Sequence, residues 1–271
     1  MKSGGWLWRT VGIAASACLC ALLVGFGWAL RDTWHPQGGL VLPEKPPETA
    51  ATGGPWADKP ELFATALGDS LTYGVGDSSS RGYVKRVTDR LSDELGKPVT
   101  LVGNLAVNGS TTEDVLAGLS QSGVKYSAAK ADLLLLTIGG NDLFRLAQEG
   151  GSIAEGGDIS IEALKQRLPD AQARLADVFR ELRKTNKTAR ILYVGLYNPF
   201  YDLPQMRDGS RVIAEWNAFA YDLAQADGNA TVVPTYDLFE TNVTRYLSSD
   251  HFHPNAEGYD RIAERIVQAL D

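Results

Sequence analysis

The sequence predicts an α/β fold, a three-layer α/β/α domain with a five-stranded parallel sheet. Short apolar runs alternate with longer segments of helical periodicity, which is typical of parallel strands joined by crossover helices. This alternation spans residues 62–271, a length that suits one such domain. The predicted strands are Leu62–Leu67, Val99–Val102, Leu133–Ile138, Ile191–Leu196 and Thr231–Val233.

The predicted helices are marked by apolar residues at steps of three and four. Pro169 is expected to kink or to start the second of them, because proline removes a backbone donor. The apolar stripes are Val84, Val87, Leu91 and Leu95, then Leu164, Leu168, Leu175, Val178 and Leu182, then Val212, Trp216, Phe219 and Leu223, and last Tyr259, Ile262, Ile266 and Leu270.

Residues 1–30 are predicted to be an N-terminal transmembrane signal-anchor. The run from Thr10 to Leu30 carries no charge over 21 residues, and about 20 apolar residues are needed to cross the hydrocarbon as a helix. Lys2 and Arg9 precede the run, so the positive-inside tendency places the N-terminus in the cytoplasm. The domain that follows is therefore expected outside the cell membrane.

Two other interpretations of this segment stay open, a cleaved secretory signal and a lipoprotein signal with Ala15-Ser16-Ala17 before Cys18. The apolar residues 19–30 favour an uncleaved anchor, because a protein cleaved at Cys18 would carry them without use. Residues 31–61 are rich in proline and glycine and have no periodic apolar face, which predicts a linker.

Composition excludes several classes of function for residues 62–271. The formal net charge is −7, and the acidic excess lies in this part of the chain, which argues against a nucleic-acid partner. The two cysteines, Cys18 and Cys20, lie in the N-terminal apolar run, so a disulfide or a cysteine nucleophile is not expected in the domain. Only His251 and His253 offer imidazole ligands there, and no metal site is predicted.

The first motif with possible chemistry is Gly68-Asp69-Ser70-Leu71, at the end of the first predicted strand. Open α/β sheets bind ligands in the crevice at the carboxyl ends of their strands. Ser70 is therefore the candidate nucleophile. Taken alone, the motif is equally consistent with an ordinary turn.

A glycine follows the second predicted strand in Asn108-Gly109-Ser110-Thr111-Thr112-Glu113. Ser110 and Glu113 have the spacing of a capping box, so a helix is expected to start here with Gly109 beside its N-terminus. The Gly109 N–H would then face the site. The alternative is a glycine that only the turn requires.

The third predicted strand is followed by Gly139-Gly140-Asn141-Asp142. The Asn141 amide is a candidate donor to developing negative charge, and Asp142 is expected to cap a helix that begins at Leu143. Asn141 is also a common turn residue.

The last motif is Asp250-His251-Phe252-His253-Pro254-Asn255, before the final helix. A step of three residues brings Asp250 and His253 to the same side of a turn, so the carboxylate is predicted to orient that imidazole toward Ser70. His251 is expected to point elsewhere. Taken alone, Asp-x-x-His is usually surface polarity.

Together, these motifs resemble the SGNH, or GDSL-type, serine hydrolase superfamily of esterases and lipases, and within it bacterial membrane-anchored lipase-like members. The four letters correspond in order to Ser70, Gly109, Asn141 and His253. The resemblance covers residues 62–271 and implies a flavodoxin-like sheet and ester hydrolysis without a metal or other cofactor. The sequence around Ser70 lacks Gly-x-Ser-x-Gly, which argues against the α/β-hydrolase fold.

The implied mechanism is acyl transfer through Ser70, His253 and Asp250, with the oxyanion held by the Ser70 and Gly109 N–H groups and the Asn141 amide. The expected substrates are lipid acyl esters, as for a lipase or lysophospholipase. Two alternatives remain: an O-deacetylase of cell-wall or other glycans, and a non-catalytic binding module on the same fold.

Overall fold

A computed structural model describes residues 4–34, 56–149, 161–204 and 207–270. The chain divides into two compact units, Met1–Ala57 and Asp58–Asp271. Most of the predicted linker, residues 35–55, lies outside the described residues.

The described part of the first unit is one helix, α1 (Gly4–Trp34). Its segment Trp8–Arg31 is long and apolar enough to cross a membrane, with 24 residues and a mean hydropathy of 2.1. A signal sequence near an N-terminus has the same properties. Residues 31–34, which the sequence predicts to be linker, are helical instead. The reason is that nothing in the sequence disfavours a helix before His35, the residue that precedes Pro36.

The second unit contains a sheet of five parallel strands in the order β2-β1-β3-β4-β5, which confirms the predicted α/β fold. The strands are β1 (Leu62–Gly68), β2 (Val99–Asn104), β3 (Leu133–Thr137), β4 (Arg190–Val194) and β5 (Ala230–Val233). The described helices are α2 (Ser70–Tyr73), α3 (Gly82–Leu95), α4 (Thr112–Leu119), α5 (Ser122–Lys130), α6 (Gly140–Glu149), α7 (Ile161–Thr185), α8 (Gly209–Asp227), α9 (Tyr236–Glu240), α10 (Val243–Tyr246) and α11 (Ala256–Gln268).

The three central strands, β1, β3 and β4, are buried on both faces, as their continuous apolar runs predict, whereas the edge strands β2 and β5 are partly exposed. Leu134 and Leu136 of β3 belong to the core cluster that includes Leu175 of α7 and Trp216 of α8. Alternate residues of a strand point to opposite faces, so Leu133 and Leu135, equally buried, pack on the other side. The carboxyl ends of all five strands therefore meet at one edge, where the predicted site residues follow β1, β2, β3 and β5.

Pro169 does not start a helix but lies inside α7. The buried residues Leu164 and Leu168 precede it, and Ala171 and Leu175 continue the same apolar stripe after it. Packing of this stripe outweighs the backbone hydrogen bond that proline removes.

Candidate active site

Ser70 is the first residue of α2, directly after β1. The first N–H groups of a helix have no acceptor within the helix, so the Ser70 N–H is available to a ligand. The Ser70 residue is only 3% exposed. The end of β1 thus fixes both the hydroxyl and the N–H of Ser70.

Asp69 connects this turn to the neighbouring strand. Its Oδ1 accepts from the Leu71 N–H at 3.1 Å and from the Thr137 hydroxyl at 2.7 Å. The Asp69 N–H donates to the Thr137 carbonyl at 3.1 Å. Burial raises the pKa of Asp69, and the two hydrogen bonds to Oδ1 only partly oppose that effect. Asp69 therefore holds Ser70 against β3.

His253 lies between Ser70 and Asp250, 183 residues along the chain from Ser70. Its Nε2 is 2.8 Å from Ser70 Oγ, and its Nδ1 is 2.7 Å from Asp250 Oδ2. The structure thus brings these three predicted residues together, in the order that acyl transfer requires.

Asp250 also closes the turn that carries His253. Its Oδ1 accepts from the Ser248 hydroxyl at 2.7 Å and from the N–H groups of Phe252 and His253, each at 2.9 Å. Burial opposes ionisation of Asp250, but hydrogen bonds from His253, Ser248 and Phe252 outweigh it and lower its pKa to about 2. Asp250 therefore carries a fixed negative charge beside the imidazole.

His251 is exposed and has a φ of +53°, in the left-handed region. Its backbone N–H donates to the Ser248 carbonyl at 3.0 Å. Among the described residues, its ring makes no hydrogen bond with Ser70 or Asp250. The geometry thus favours His253 over His251 as the partner of Ser70.

Gly109 has a φ of +81°, as at the third position of a type II turn. The turn is closed by the Ser110 N–H, which donates to the Val107 carbonyl at 3.1 Å. The expected capping box of Ser110 and Glu113 is wrong, because α4 is capped by Thr111 and Asp114. Ser110 is buried, and its carbonyl accepts from the Asn141 amide, so Ser110 belongs to the site rather than to the cap.

Asn141 and Asp142 tie the Gly109 turn to the end of β3. Asn141 Nδ2 donates to the Ser110 carbonyl at 2.8 Å. Asp142 accepts from the Thr112 N–H at 2.9 Å and from the Thr112 hydroxyl at 2.6 Å. The expectation that Asp142 caps its own helix is wrong, since α6 begins at Gly140 and the carboxylate binds the first turn of α4 instead. Burial raises the pKa of Asp142, against hydrogen bonds from Thr112 and the charge of Arg174.

A small pocket opens beside Ser70 and Asn141, and we call it the apolar pocket. Its volume is about 30 Å³. The Tyr197 hydroxyl donates to the Phe252 carbonyl at 2.7 Å, which joins the end of β4 to the His253 segment. The apolar wall consists of Leu71, Phe144, Leu196, Tyr197, Pro199 and Phe252.

The loop after α2 supports His253 from the other side. A Cβ at Gly76, whose φ is +90°, would lie 2.5 Å from the Pro254 carbonyl oxygen and 2.9 Å from His253 Cβ. The loop is held by the buried Asp77, which accepts from Arg86 at 2.5 Å and from the Gly82 N–H at 2.9 Å. Close packing at Gly76 therefore fixes the position of the imidazole.

Sequence reasoning missed the residues that support the site. Thr137, Tyr197 and Asp77 act through partners that are distant in the sequence or on another element. Of the three, Asp77 had a local signal, because Asp-x-Ser often forms a turn in which the carboxylate accepts from the next N–H groups. No sequence motif indicates the hydrogen bond between Tyr197 and Phe252.

Comparisons with known proteins agree with this geometry. A model of the GDSL-like lipase/acylhydrolase family matches residues 66–261. The uncharacterized protein YpmR of Bacillus subtilis is 33% identical over 215 residues, which cover 78% of this chain and 82% of that protein. The spore germination lipase LipC of Bacillus licheniformis is 30% identical over 210 residues, which cover 77% of this chain and 96% of that protein.

The crystal structure of the lipase Lip_vut3 from a goat rumen metagenome has the same fold. The two structures superpose with a TM-score of 0.67 and share 27% sequence identity. The match covers 78% of this chain and 100% of that one. The resemblance in the sequence motifs is thereby confirmed. The chain belongs to the GDSL-like lipase/acylhydrolase family and is an ester hydrolase.

Proposed function

We propose that this protein is a membrane-anchored, extracytoplasmic serine esterase that acts on acyl esters as a lipase or lysophospholipase does. Residues 62–271 form the hydrolase domain, residues 35–61 the linker, and the N-terminal residues up to Trp34, the end of α1, the anchor. The single observation that carries the catalytic part is the hydrogen-bonded chain from Ser70 Oγ through the His253 ring to Asp250.

In the first step His253 Nε2 takes the proton from Ser70 Oγ as this oxygen bonds to the carbonyl carbon of the ester. His253 then gives that proton to the departing alcohol oxygen, which leaves an acyl group on Ser70. A water molecule attacks the acyl-enzyme with the same proton transfers and releases the acid. Asp250, held ionised by its hydrogen bonds, stabilises the imidazolium in both steps.

The oxyanion is held by the N–H groups of Ser70 and Gly109 and by the Asn141 amide. Ser70 N–H is the first of α2, and the turn at Gly109 leaves its N–H outside the closing hydrogen bond. Asn141 Nδ2 has a second hydrogen besides the one donated to Ser110. The three proposed donors follow three neighbouring strands, β1, β2 and β3, and each has a hydrogen left for the oxyanion.

A glycan O-deacetylase is the second candidate, and the volume of the apolar pocket favours it. Pockets that enclose ligands of drug size span roughly 300–1,000 Å³, whereas this one has about 30 Å³. An acetyl group fits that space more easily than a long acyl chain.

The test is a substrate panel of p-nitrophenyl esters of increasing acyl length, lysophospholipids and acetylated sugars, given to the full chain in detergent. We expect turnover of at least one class and labelling of Ser70 by a fluorophosphonate, both absent in Ser70→Ala. A wild-type protein that neither labels nor turns over any ester would be the binding module instead.

The proposed topology is tested on intact cells by adding protease outside. Cleavage within residues 35–61 should release an active domain. Activity in the medium without protease would indicate a cleaved signal, and a protected domain would contradict the orientation.

A further inference from the structure

A second cavity lies at the active-site edge, and of its lining the mechanism above uses only the Gly109 N–H. We call it the leaving-group groove; it lies between the loop after β2 and helices α4 and α5 and has a volume of about 370 Å³. Its apolar floor includes Leu67, Val115 and Val124, and its polar rim includes Asn108, Asp114 and Gln121.

The groove and the apolar pocket lie on opposite sides of the candidate oxyanion donors. Gly68 and Gly109 line the groove, whereas Ser70 and Asn141 line the apolar pocket. The strand order gives the same arrangement, because β2 flanks β1 on one side and β3 and β4 follow on the other. The groove therefore lies beside the Gly109 N–H and the apolar pocket beside Ser70 and Asn141, on the two sides of the proposed ester position.

The ester carbonyl carbon that Ser70 attacks carries two substituents, the carbon chain of the acyl group and the alcohol part. The apolar pocket, walled by aromatic side chains, suits the acyl group. On this basis, which rests on the proposed function, we propose that the groove binds the alcohol part of the substrate, and that this part is an uncharged polyol such as glycerol or a sugar.

The side chains that line the groove favour a polyol over other alcohols. Amide groups of Asn108 and Gln121 can donate to and accept from hydroxyls, and apolar floor residues suit the C–H faces of a polyol. Among the described residues that line the groove, none is Lys or Arg, and Asp114 contributes a negative charge. Of the substrates proposed above, a lysophospholipid has an alcohol part that bears a phosphate; Asp114 would repel it, and this lining offers no cation to pair with it, so the groove narrows the proposal to lipase and deacetylase substrates.

Two helical glycines provide a matched test. Gly118 lines the groove, and a Cβ there would have no atom within 4 Å. Gly123 in α5 is outside the groove lining and has the same free space, again with no atom within 4 Å. A Cβ at either position therefore meets no clash, and replacing either glycine with leucine favours the helix by a similar amount.

The experiment compares Gly118→Leu, Gly123→Leu and wild type, all as full chains in detergent. Each is assayed on a methyl ester, a glyceryl ester, a sugar ester and a lysophosphatidylglycerol that share one acyl group. We expect Gly118→Leu to lower kcat/KM for the glyceryl or the sugar ester by about tenfold or more, the scale of losing pocket contacts. The methyl ester should change less than about twofold, and Gly123→Leu should match wild type throughout.

The ester whose kcat/KM falls more in Gly118→Leu distinguishes the two sources of a polyol, lipid and glycan. A larger loss for the glyceryl ester indicates a lipid substrate, and a larger loss for the sugar ester a glycan. Equal losses on all esters, or none, would overturn the groove assignment. A wild-type preference for the lysophosphatidylglycerol would overturn the uncharged polyol.

Fluorophosphonate labelling of wild-type Ser70 is measured first and separates the two proposals. Labelling without any effect of Gly118→Leu refutes the groove assignment alone. Absence of labelling refutes the proposed function and the groove assignment with it.

Discussion

The two segments that meet at the hydrogen bond between Ser70 and His253 are built differently. Residues 68–73, which we call the nucleophile segment after the proposed role of Ser70, follow the end of central strand β1, and their hydrogen bonds go to the neighbouring strand through Thr137. Residues 248–254, which we call the base segment after the proposed role of His253, form a turn whose hydrogen bonds go largely to Asp250 within the same turn. The first is positioned by the sheet, and the second by its own turn and by contact with the Gly76 loop.

Each segment contains one carboxylate, and the two respond to their surroundings in opposite directions. The Asp69 residue is 2% exposed, and burial raises its pKa. The Asp250 side chain is 44% exposed, and hydrogen bonds lower its pKa to about 2. Both carboxylates accept hydrogen bonds from backbone N–H groups. The buried Asp69 thereby holds a turn in place, whereas the partly exposed Asp250 is stabilised in its charged form.

The largest expected effect is in the base segment. His253→Ala should reduce acyl transfer and fluorophosphonate labelling of Ser70 by at least about a thousandfold, the scale of losing a triad member. His251→Ala is the matched control and should keep most activity, since the His251 ring is exposed and Asp250 contacts His253 instead. Labelling rates of both variants decide the assignment. A dead His251→Ala beside a reactive His253→Ala would reverse it.

The next effect tests Asn141, which lies in the first turn of α6 and lines the apolar pocket beside the nucleophile segment. Asn141→Ala should lower kcat by about 100- to 1,000-fold, because one oxyanion donor is lost. It also removes the hydrogen bond to Ser110, so the free energy of unfolding should fall by about 1 kcal/mol. Steady-state kinetics and denaturant unfolding measure the two quantities. Unchanged kcat with a large loss of stability would leave Asn141 as a turn residue only.

A smaller effect tests how far the base segment depends on packing. Gly76→Ala places a methyl group against His253 Cβ and the Pro254 carbonyl, and a displaced imidazole should lower kcat by about 10- to 100-fold. Gly96→Ala is the control, because Gly96 also has a positive φ of +61° but a Cβ there would have no atom within 4 Å. It should reproduce the backbone strain without the loss of kcat. Equal kinetics in the two variants would show that the contact is unimportant.

The smallest effects concern protein stability and compare two carboxylates. Asp77 holds the Gly76 loop beside the base segment, and Asp69 holds the nucleophile segment. The hydrogen bonds from Arg86, Ser79 and Gly82 outweigh burial and lower the pKa of Asp77 from 3.8 to about 2. Its ionised form therefore contributes roughly 2 kcal/mol above pH ~4, which is lost as pH falls toward ~2. Asp77→Asn should destabilise the protein at pH 7 by about that amount.

Asp69→Asn should have the opposite sign. Because the pKa of Asp69 is raised, its contribution to stability falls as pH increases through that pKa, and a neutral amide that keeps Oδ1 should be more stable than wild type at pH 7. Urea unfolding of both variants at pH 7 and near pH 4 measures the two effects. A loss of stability in Asp69→Asn at pH 7 would show that its charge, rather than its acceptor oxygen, holds the turn.

The sequence predicted the elements better than their ends. The apolar runs identified all five strands of the sheet, because burial on both faces requires continuous apolar residues. The capping box was placed one residue too early, because Thr111 and Asp114 have the same spacing as Ser110 and Glu113. The Asp142 cap was wrong because its partner, Thr112, lies on another helix. In the fold, Ser110 is bonded by Asn141 and Thr112 by Asp142, and such long-range partners leave no local pattern.

By itself, the sequence determined the α/β fold and the family, because strand periodicity and the four motifs are visible in the chain without a structure. The same motifs predicted that Ser70, Asp250 and His253 belong to one site. Only the tertiary structure decided how that site is supported. The contacts of His253 with the Gly76 loop, of Tyr197 with Phe252 and of Asn141 with Ser110 join segments far apart in the chain. The apolar pocket and the leaving-group groove are likewise spaces between segments that follow different strands. Such spaces exist only once the strands are parallel and side by side, so no stretch of the sequence encodes their volumes or linings.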